Sequence, residues 1–197
     1  MEHFHSEEFP DPPLDNPEEA GFRRFARDIL EVALISLVLF LSINAVSARI
    51  RVESVSMQPT LFAGNFVVVN KLSYRFGEPE RGDIIVFEYP PDLEQDPYIK
   101  RVIGLPGEQV KIADGKVTIN GVNIQEPYLV DDTQQGGEWT IPDEAVFVMG
   151  DNRRNSSDSR SWGAVPLENV IGKALVVYWP PEKWELLSMS YAVAAEN

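Results

Sequence analysis

The chain has 197 residues, a length that allows one compact domain with an anchor rather than two full domains, and its formal net charge is −14. Its 17 Lys and Arg are scattered, which argues against a nucleic-acid-binding surface, because such a surface needs a basic patch. Cysteine is absent, which excludes a thiol nucleophile, a disulfide framework and a Cys-based zinc site. The two histidines, His3 and His5, lie in the N-terminal leader, so neither a His-based triad nor a His-ligated metal is expected.

The N-terminal region divides into a polar leader and an apolar run. Residues 1–28 are predicted to form a disordered, acidic leader, because the first 21 are rich in Pro and acidic side chains and poor in β-branched ones. The run 29–48 follows, and as a helix it would extend ~30 Å, the thickness of the hydrocarbon core of a bilayer. We therefore predict a transmembrane helix over 29–48.

Three arginines, Arg23, Arg24 and Arg27, flank the N-terminal side of this run. By the positive-inside rule they predict a single pass through the cell membrane, with a cytoplasmic N-terminus and an extracytoplasmic main domain. Two alternatives compete with a retained anchor. The run could be a buried core helix, or it could be a cleaved secretory signal, because residues 46–48 (Val-Ser-Ala) have a small-x-small pattern. The long acidic leader favours the anchor.

From residue 51 onward the sequence is typical of β-structure. Short runs rich in Val, Ile, Phe and Tyr are bounded by Gly, Pro, Asn and Asp. Asp-Gly at 114–115 and Asn-Gly at 120–121 are hairpin-turn signals, so residues 108–126 are predicted to form a β-ribbon. The sequence thus predicts an all-β, antiparallel domain over 49–181 behind one transmembrane helix. It assigns no structure to the C-terminal tail 182–197.

Three polar segments of the β region contain candidate functional side chains: ESVSMQPTL at 53–61, YIKRVIGLPG at 98–107 and GDNRRNSSDSRSWG at 150–163. Taken separately, they indicate a Ser-rich loop, an amphipathic strand before a Pro-Gly turn, and a polar loop with internal ion pairs. The chain has no Ser-x-x-Lys, Gly-x-Ser-x-Gly, His-Glu-x-x-His or P-loop motif.

In this order, and with GDIIVF at 82–87, the segments resemble the sequence boxes of type I signal peptidases. The resemblance covers residues 29–180. It implies an antiparallel β catalytic domain of the signal-peptidase type and a serine endopeptidase with a Ser–Lys dyad. Such an enzyme removes signal peptides from exported proteins and uses neither a metal nor another cofactor. Signal-peptide-bearing precursors and membrane lipid are the implied partners.

The resemblance also assigns roles to individual residues. Ser56 matches the nucleophile and Lys100 the general base. Ser54 matches a hydroxyl that lines the oxyanion hole beside the Ser56 backbone N–H, and Ser156 matches the serine that orients the lysine amine. The implied supporting ion pairs are Arg101 with Asp151 and Asp158 with Arg160, and the implied substrate pocket includes Val52 and Ile99.

Two features depart from the family pattern. Glu53 stands where some relatives have Pro or another uncharged residue. The stretch between Lys100 and Gly150 is short, so the accessory β domain of larger relatives is expected to be little more than the ribbon.

The implied chemistry requires a lysine amine that has lost its proton. An unperturbed lysine has a pKa near ~10.4 and is protonated at neutral pH. Burial among apolar side chains disfavours the ammonium and lowers the pKa by up to several units. Tyr98, Ile99, Val102 and Ile103 supply apolar neighbours for Lys100, and no acidic residue occurs between 99 and 107.

Some questions stay open at the level of sequence. A Ser–Lys peptidase with one dedicated client, such as a pilus or spore protein, would look the same. A catalytically inactive β scaffold would be expected to lack Ser56 or Lys100, and both are present. Leu61 and Phe62 could form an exposed apolar patch that contacts the lipid surface, or they could be ordinary core residues.

Overall fold

The computed structural model describes residues 17–133 and 135–187. A long N-terminal helix, α1 (Pro17–Val46), precedes a domain made almost entirely of β-strands. The chain divides into two compact units, one ending at Ile43 and the other beginning at Asn44. The predicted class, an antiparallel β domain with one N-terminal helix, is confirmed.

Helix α1 begins before the predicted boundary. It starts at Pro17, so the predicted disorder of residues 17–28 and the predicted helix start at 29 are wrong. Hydropathy marks only the part that matches a bilayer, whereas helical hydrogen bonding extends through polar residues as well. Residues 1–16 lie outside the described part of the chain. The helix ends at Val46 because the chain enters a strand at Ser47.

The segment Gly21–Val46 is long and apolar enough to cross a membrane. Its 26 residues extend ~39 Å as a helix, which exceeds the ~30 Å of a hydrocarbon core. Its large apolar side chains are exposed, Leu30 and Phe40 among them. This exposure favours a membrane span over a buried core helix, whose apolar side chains would be covered by protein.

The strands form two antiparallel sheets, and short helical turns connect some of them. After β1 (Ser47–Arg51) the strands are β2 (Phe66–Asn70), β3 (Ile84–Phe87), β4 (Tyr98–Gly104), β5 (Gln109–Ala113), β6 (Lys116–Ile119), β7 (Val122–Asn123), β8 (Gly137–Thr140), β9 (Ala145–Met149), β10 (Val165–Pro166), β11 (Val170–Trp179) and β12 (Glu185–Leu186). The helical turns are α2 (Ser159–Trp162) and two 3₁₀ turns, Leu167–Asn169 and Pro181–Lys183.

The main sheet has the strand order β1-β2-β11-β3-β4-β9-β10, and β12 pairs with β11. Strand β4 lies between β3 and β9 and is buried from Ile99 to Gly104. This burial on both faces is unusual for a strand that carries charged side chains, because such groups must find partners inside the protein. The site described below depends on those partners.

The second sheet has the order β7-β6-β5-β8. Its two hairpin turns follow the sequence signals: φ is 51° at Asp114, 79° at Gly115, 50° at Asn120 and 84° at Gly121. Two successive residues of positive φ suit the right-handed twist of a two-residue hairpin. The predicted ribbon is therefore present, but β8 joins it, so this part is a four-stranded sheet rather than a ribbon alone. We call it the small sheet.

The domain extends beyond the predicted boundary at residue 181. Strand β12 pairs with β11, with Leu186 opposite Val176, and Leu187 is buried in the same apolar cluster as Val52 and Ile99. Part of the predicted tail is thus folded, and the remainder, 188–197, lies outside the described residues.

Leu61 and Phe62, considered together from sequence, differ in the structure. Leu61 is fully buried in the apolar cluster that contains Val52. Phe62 is 39% exposed, and its ring centroid lies 5.1 Å from the amine of Lys183. A shared apolar patch is therefore excluded, and only Phe62 is available to solvent.

Candidate active site

The hydroxyl of Ser56 and the amine of Lys100 meet in the interior of the β domain. Lys100 Nζ lies 2.8 Å from Ser56 Oγ and 3.1 Å from the carbonyl oxygen of Ile99. Both residues are buried, Ser56 with 5% and Lys100 with 4% of its surface exposed. Ser56 lies in the turn that follows β1, whereas Lys100 lies within β4, so the fold joins segments that are 44 residues apart.

Burial changes the acidity of the lysine amine. Removal from water lowers the pKa of Lys100 from 10.5 to about 8, although the negative charges of Asp158 and Asp151 oppose the change. Strand pairing places Ile85, which is fully buried, opposite Lys100. The ammonium therefore loses hydration without gaining a direct carboxylate partner among the described residues, and the neutral amine becomes accessible near neutral pH.

The hydroxyl of Ser54 lies next to the candidate nucleophile. Its Oγ is 3.0 Å from Ser56 Oγ, so the Ser56 oxygen has the Ser54 hydroxyl and the Lys100 amine as neighbours. Ser54 is exposed, whereas Ser56 is not. A hydroxyl at this place can turn toward a negative oxygen that develops on a substrate bound at Ser56.

Ser156 does not make the hydrogen bond expected of a serine that orients Lys100. Its Oγ is buried and has no hydrogen-bond partner among the described residues. The residue nevertheless packs at the site, because a Cβ added to Gly150 would lie 2.3 Å from Ser156 Oγ and 2.4 Å from the carbonyl oxygen of Ser56. Gly150 thus permits a close approach between the loop that follows β9 and the turn that carries Ser56.

Arg101, the neighbour of Lys100, forms a buried ion pair with Asp151. Arg101 Nε and Nη2 donate to the two carboxylate oxygens at 2.9 and 2.7 Å, and both side chains are fully buried. The hydroxyl of Thr60 donates to the same carboxylate at 2.5 Å. Burial alone would lower the pKa of Arg101, but the hydrogen bonds and charge of Asp151 raise it. The predicted pair therefore forms, and it links β4 to the loop after β9.

The second predicted ion pair, Asp158 with Arg160, also forms. Arg160 Nε and Nη2 each lie 2.8 Å from a carboxylate oxygen of Asp158. The carboxylate of Asp158 also accepts from the backbone N–H groups of Gly150 and Arg160, and so caps the short helix α2. These bonds fix the loop 150–158 against the end of β9.

Sequence reasoning missed a third buried ion pair. Arg153 donates to both carboxylate oxygens of Glu126, and the arginine side chain is fully buried. It also missed Asn152, whose backbone N–H donates to the Ser56 carbonyl at 2.9 Å and whose side chain donates to the Val55 carbonyl at 3.2 Å. Arg153 and Asn152 lie inside the third polar segment, but nothing local identifies their partners.

A groove of about 520 Å³ runs beside Ser56 and Lys100. Two stretches of the chain supply its apolar walls. One is the end of β1 and the residue that follows it, with Ile50 and Val52, and the other is the start of β4, with Tyr98 and Ile99. The two predicted pocket residues thus lie on the same groove as the candidate dyad.

Among the described residues, no group of three or more His, Asp or Glu side chains is placed to hold a metal ion. The titratable side chains that line the groove are Arg51, Glu53, Asp96, Tyr98 and Lys100. The chemistry that Ser56 and Lys100 support is acyl transfer to a serine hydroxyl, with an amine as the proton acceptor.

Comparison with known proteins gives an independent assignment. Residues 25–179 match the family model described as signal peptidase, peptidase S26. The chain is 42% identical over 177 residues to a signal peptidase I from Leptolyngbya laminosa, which covers 86% of this chain and 83% of that protein. It is also 42% identical over 183 residues to a probable signal peptidase I-1 from Synechocystis, covering 88% and 93% of the two chains. A crystal structure of a signal peptidase I from Enterococcus faecalis V583 matches at 36% identity and a TM-score of 0.46, over 49% of this chain and 97% of that one.

These matches define the class: the protein is a serine endopeptidase whose N-terminal apolar helix fits a membrane anchor. The hydroxyl–amine pair at Ser56 and Lys100 is the part of the structure suited to that activity. The chain belongs to the signal peptidase family, peptidase S26, and the resemblance seen in its sequence is confirmed.

Proposed function

We propose that this protein is a membrane-anchored endopeptidase that removes N-terminal signal peptides from exported precursors, with Ser56 as nucleophile and Lys100 as general base. The observation that carries this proposal is the 2.8 Å distance between Ser56 Oγ and the amine of a buried lysine. The relatives named signal peptidase I supply the substrate class.

The pKa of Lys100 supports the role of base. With a pKa of about 8, roughly one amine in ten is neutral at pH 7. With the ordinary value of 10.5, only about one in 3,000 would be neutral. Burial thus increases the reactive population by a factor of about 300, even though the negative charges of Asp158 and Asp151 favour the protonated amine.

The reaction follows from this arrangement. The neutral amine of Lys100 takes the proton of the Ser56 hydroxyl as its oxygen attacks the scissile carbonyl carbon. The resulting oxyanion accepts hydrogen bonds from the Ser54 hydroxyl and the Ser56 backbone N–H. The protonated amine then gives its proton to the leaving amine as the peptide bond breaks, which leaves an acyl-enzyme on Ser56. Water hydrolyses this ester with Lys100 again acting as base.

The groove beside the dyad favours small side chains at positions −1 and −3 from the cut. Val52 and Ile99 line the groove, and we infer that they form shallow recesses for these two side chains. One methylene in such a recess is worth only ~1–3 kcal/mol, or about 10- to 200-fold in rate, so acceptance of Gly, Ala and Ser should overlap rather than be confined to one of them. Precursor peptides with bulky or charged −1 residues should be cleaved much more slowly, and equal rates would contradict this assignment.

The cellular location is proposed from charge. Arg23, Arg24 and Arg27 lie near the N-terminal end of the apolar segment of α1. We place this end in the cytoplasm and the β domain on the outer face of the cell membrane, because positively charged flanks are retained inside. Accessibility of introduced cysteines at either end of the segment to a membrane-impermeant reagent would test this topology.

The proposed function is tested with the full chain in detergent and a short precursor peptide that contains Ala-x-Ala. The parent should cleave after the second Ala, and Ser56→Ala should be inactive because it lacks the nucleophilic oxygen. Ser161→Ala is the matched control, since Ser161 is exposed and does not line the groove. Cleavage by Ser56→Ala at the parental rate would refute the proposal.

A further inference from the structure

Three polar side chains in the connection between β7 and β8 of the small sheet reach into the interior: Glu126, Tyr128 and Thr133. Tyr128 and Thr133 are each 3% exposed, and the side chain of Glu126 is 7% exposed. Connections between strands normally run over the surface with their polar groups in water. Burial of three such groups in one connection therefore requires partners that repay the lost hydration.

The common partner of these side chains is Arg153, in the loop after β9. Its Nη1 donates to Glu126 Oε2 at 3.0 Å and also to the hydroxyl of Thr133, while its Nη2 donates to Glu126 Oε1. The Tyr128 hydroxyl donates to Glu126 Oε1 at 2.6 Å. The group is compact and buried, so the small sheet and the loop after β9 cannot shift independently without breaking charged hydrogen bonds.

A short series of hydrogen bonds leads from Arg153 to the backbone of the nucleophile, Ser56. Arg153 Nε donates to the carbonyl oxygen of Gly150 at 3.1 Å, and the adjacent Asn152 donates its backbone N–H to the Ser56 carbonyl at 2.9 Å. The loop that Arg153 holds is therefore the loop that contacts the backbone of Ser56.

A second series of contacts leads from Tyr128 to the general base, Lys100. The ring centroid of Tyr128 lies 4.0 Å from the guanidinium carbon of Arg101, a cation–π distance. Arg101 precedes Val102 and follows Lys100 in β4, and it is held on its other side by Asp151. The connection between β7 and β8 thus reaches Lys100 through its neighbour Arg101, and Ser56 through Arg153 and the adjacent Asn152.

We propose that Glu126, Tyr128 and Thr133 are positioning residues, which hold the loop after β9 and Arg101 so that Ser56 Oγ and Lys100 Nζ stay within proton-transfer distance. The proposal rests on the proposed function of the dyad. Proton transfer requires close contact between the two atoms, and a misplacement of ~1 Å can reduce turnover ~100-fold. The small sheet is then part of the catalytic structure rather than an appendage.

The test compares Glu126→Gln and Tyr128→Leu with Asp131→Asn, using the full chain in detergent and the Ala-x-Ala precursor peptide. Asp131 lies in the same connection, but its ion pair with Arg154 is more than half exposed on both sides. The folded fraction of each variant is measured by near-UV circular dichroism, and kcat and KM are expressed per folded molecule. We expect kcat to fall about 10- to 100-fold in the first two variants with KM nearly unchanged, and Asp131→Asn to match the parent.

A pair of more conservative variants at Thr133 keeps the proposal testable if the loss of a buried charge prevents folding. Thr133→Val removes one acceptor for Arg153, whereas Thr133→Ser keeps the hydroxyl. Thr133→Val should lower kcat and Thr133→Ser should retain it. Folded Tyr128→Leu and Thr133→Val proteins with parental kcat would overturn the positioning role while leaving the proposed function intact. A parent and Asp131→Asn that both fail to cleave would overturn the proposed function and this inference together.

Discussion

Lys100 is the residue whose protonation state should control the rate. Burial lowers its pKa to about 8, against the opposing charges of Asp158 and Asp151. Only the neutral amine can accept the proton of Ser56. We therefore expect kcat/KM to rise tenfold per pH unit below about 8 and to level off above it, measured on the Ala-x-Ala peptide between pH 6 and 10. A rise that continues to the ordinary lysine value of 10.5 would contradict a desolvated base.

The same burial should cost folding stability, with a defined pH dependence. The pKa of Lys100 is 10.5 when exposed and about 8 when folded, so the unfolded chain binds the proton more tightly. Below about pH 8 the full cost of ~3 kcal/mol applies; it shrinks between the two pKa values and vanishes above 10.5. Lys100→Met should therefore be inactive yet up to ~3 kcal/mol more stable at pH 7, with the gain lost in alkali.

Denaturant unfolding of Lys100→Met at pH 7 and pH 11 measures this difference. The control is Lys111→Met, because Lys111 is more than half exposed, and it should change the free energy of unfolding by less than ~0.5 kcal/mol. Lys100→Arg should be inactive as well, since a guanidinium is not deprotonated in proteins. An active Lys100→Met protein would rule out the Ser–Lys mechanism.

At the scale of elements, strand β4 separates two adjacent charges by its pleat. Successive side chains of a strand point to opposite faces, so Lys100 reaches Ser56 while Arg101 reaches Asp151. The ammonium is thereby kept from a direct carboxylate contact, which would hold its proton. A one-residue slip of β4 would move Lys100 to the opposite face, away from Ser56, so the site depends on the register in which β3 places Ile85 opposite Lys100.

The loop after β9 should tolerate no added side chain at its first residue. A Cβ at position 150 would lie 2.4 Å from the Ser56 carbonyl oxygen and 2.3 Å from Ser156 Oγ, so Gly150→Ala must displace the nucleophile's turn. We expect kcat to fall ~100-fold. Gly121→Ala is the control: with φ at +84° and no atom within 4 Å, it should cost ~1 kcal/mol of stability and leave kcat unchanged. Equal effects of the two substitutions on kcat would contradict this account.

At the scale of the whole molecule, the structure protects the segment between the helix and the β domain from proteolytic cleavage. Residues 46–48 have the small-x-small pattern, but Ser47 and Ala48 pair with Asn70 and Val69, and the Val46 carbonyl accepts a backbone hydrogen bond from Lys71. A peptidase needs its substrate as a free extended chain. The anchor should therefore remain attached, and intact-mass measurement of the membrane-extracted protein should include residues before Arg49. A mature form that begins at Arg49 would contradict this expectation.

Local signals in the sequence accounted for the apolar segment of α1, for most of the β-strands and for both hairpin turns. Each of these depends on neighbouring residues: a continuous apolar run, alternation along a strand, or an Asp-Gly or Asn-Gly pair. The polar segments with Ser56, Lys100 and Asp158 were recognisable for a similar reason, because their residue order is contiguous. Folding brought these segments together at one site, which their order alone did not require.

The remaining features were decided by tertiary contacts. Thr60 meets Asp151 across 91 residues and Arg153 meets Glu126 across 27, and no local preference of either chain segment specifies such a partner. The same holds for β8 and β12, which are strands only because an edge of β5 or β11 offers unpaired backbone groups. The sequence by itself determined which side chains were available for chemistry. The fold decided which of them became buried, and burial is what turns a protonated lysine into a candidate base.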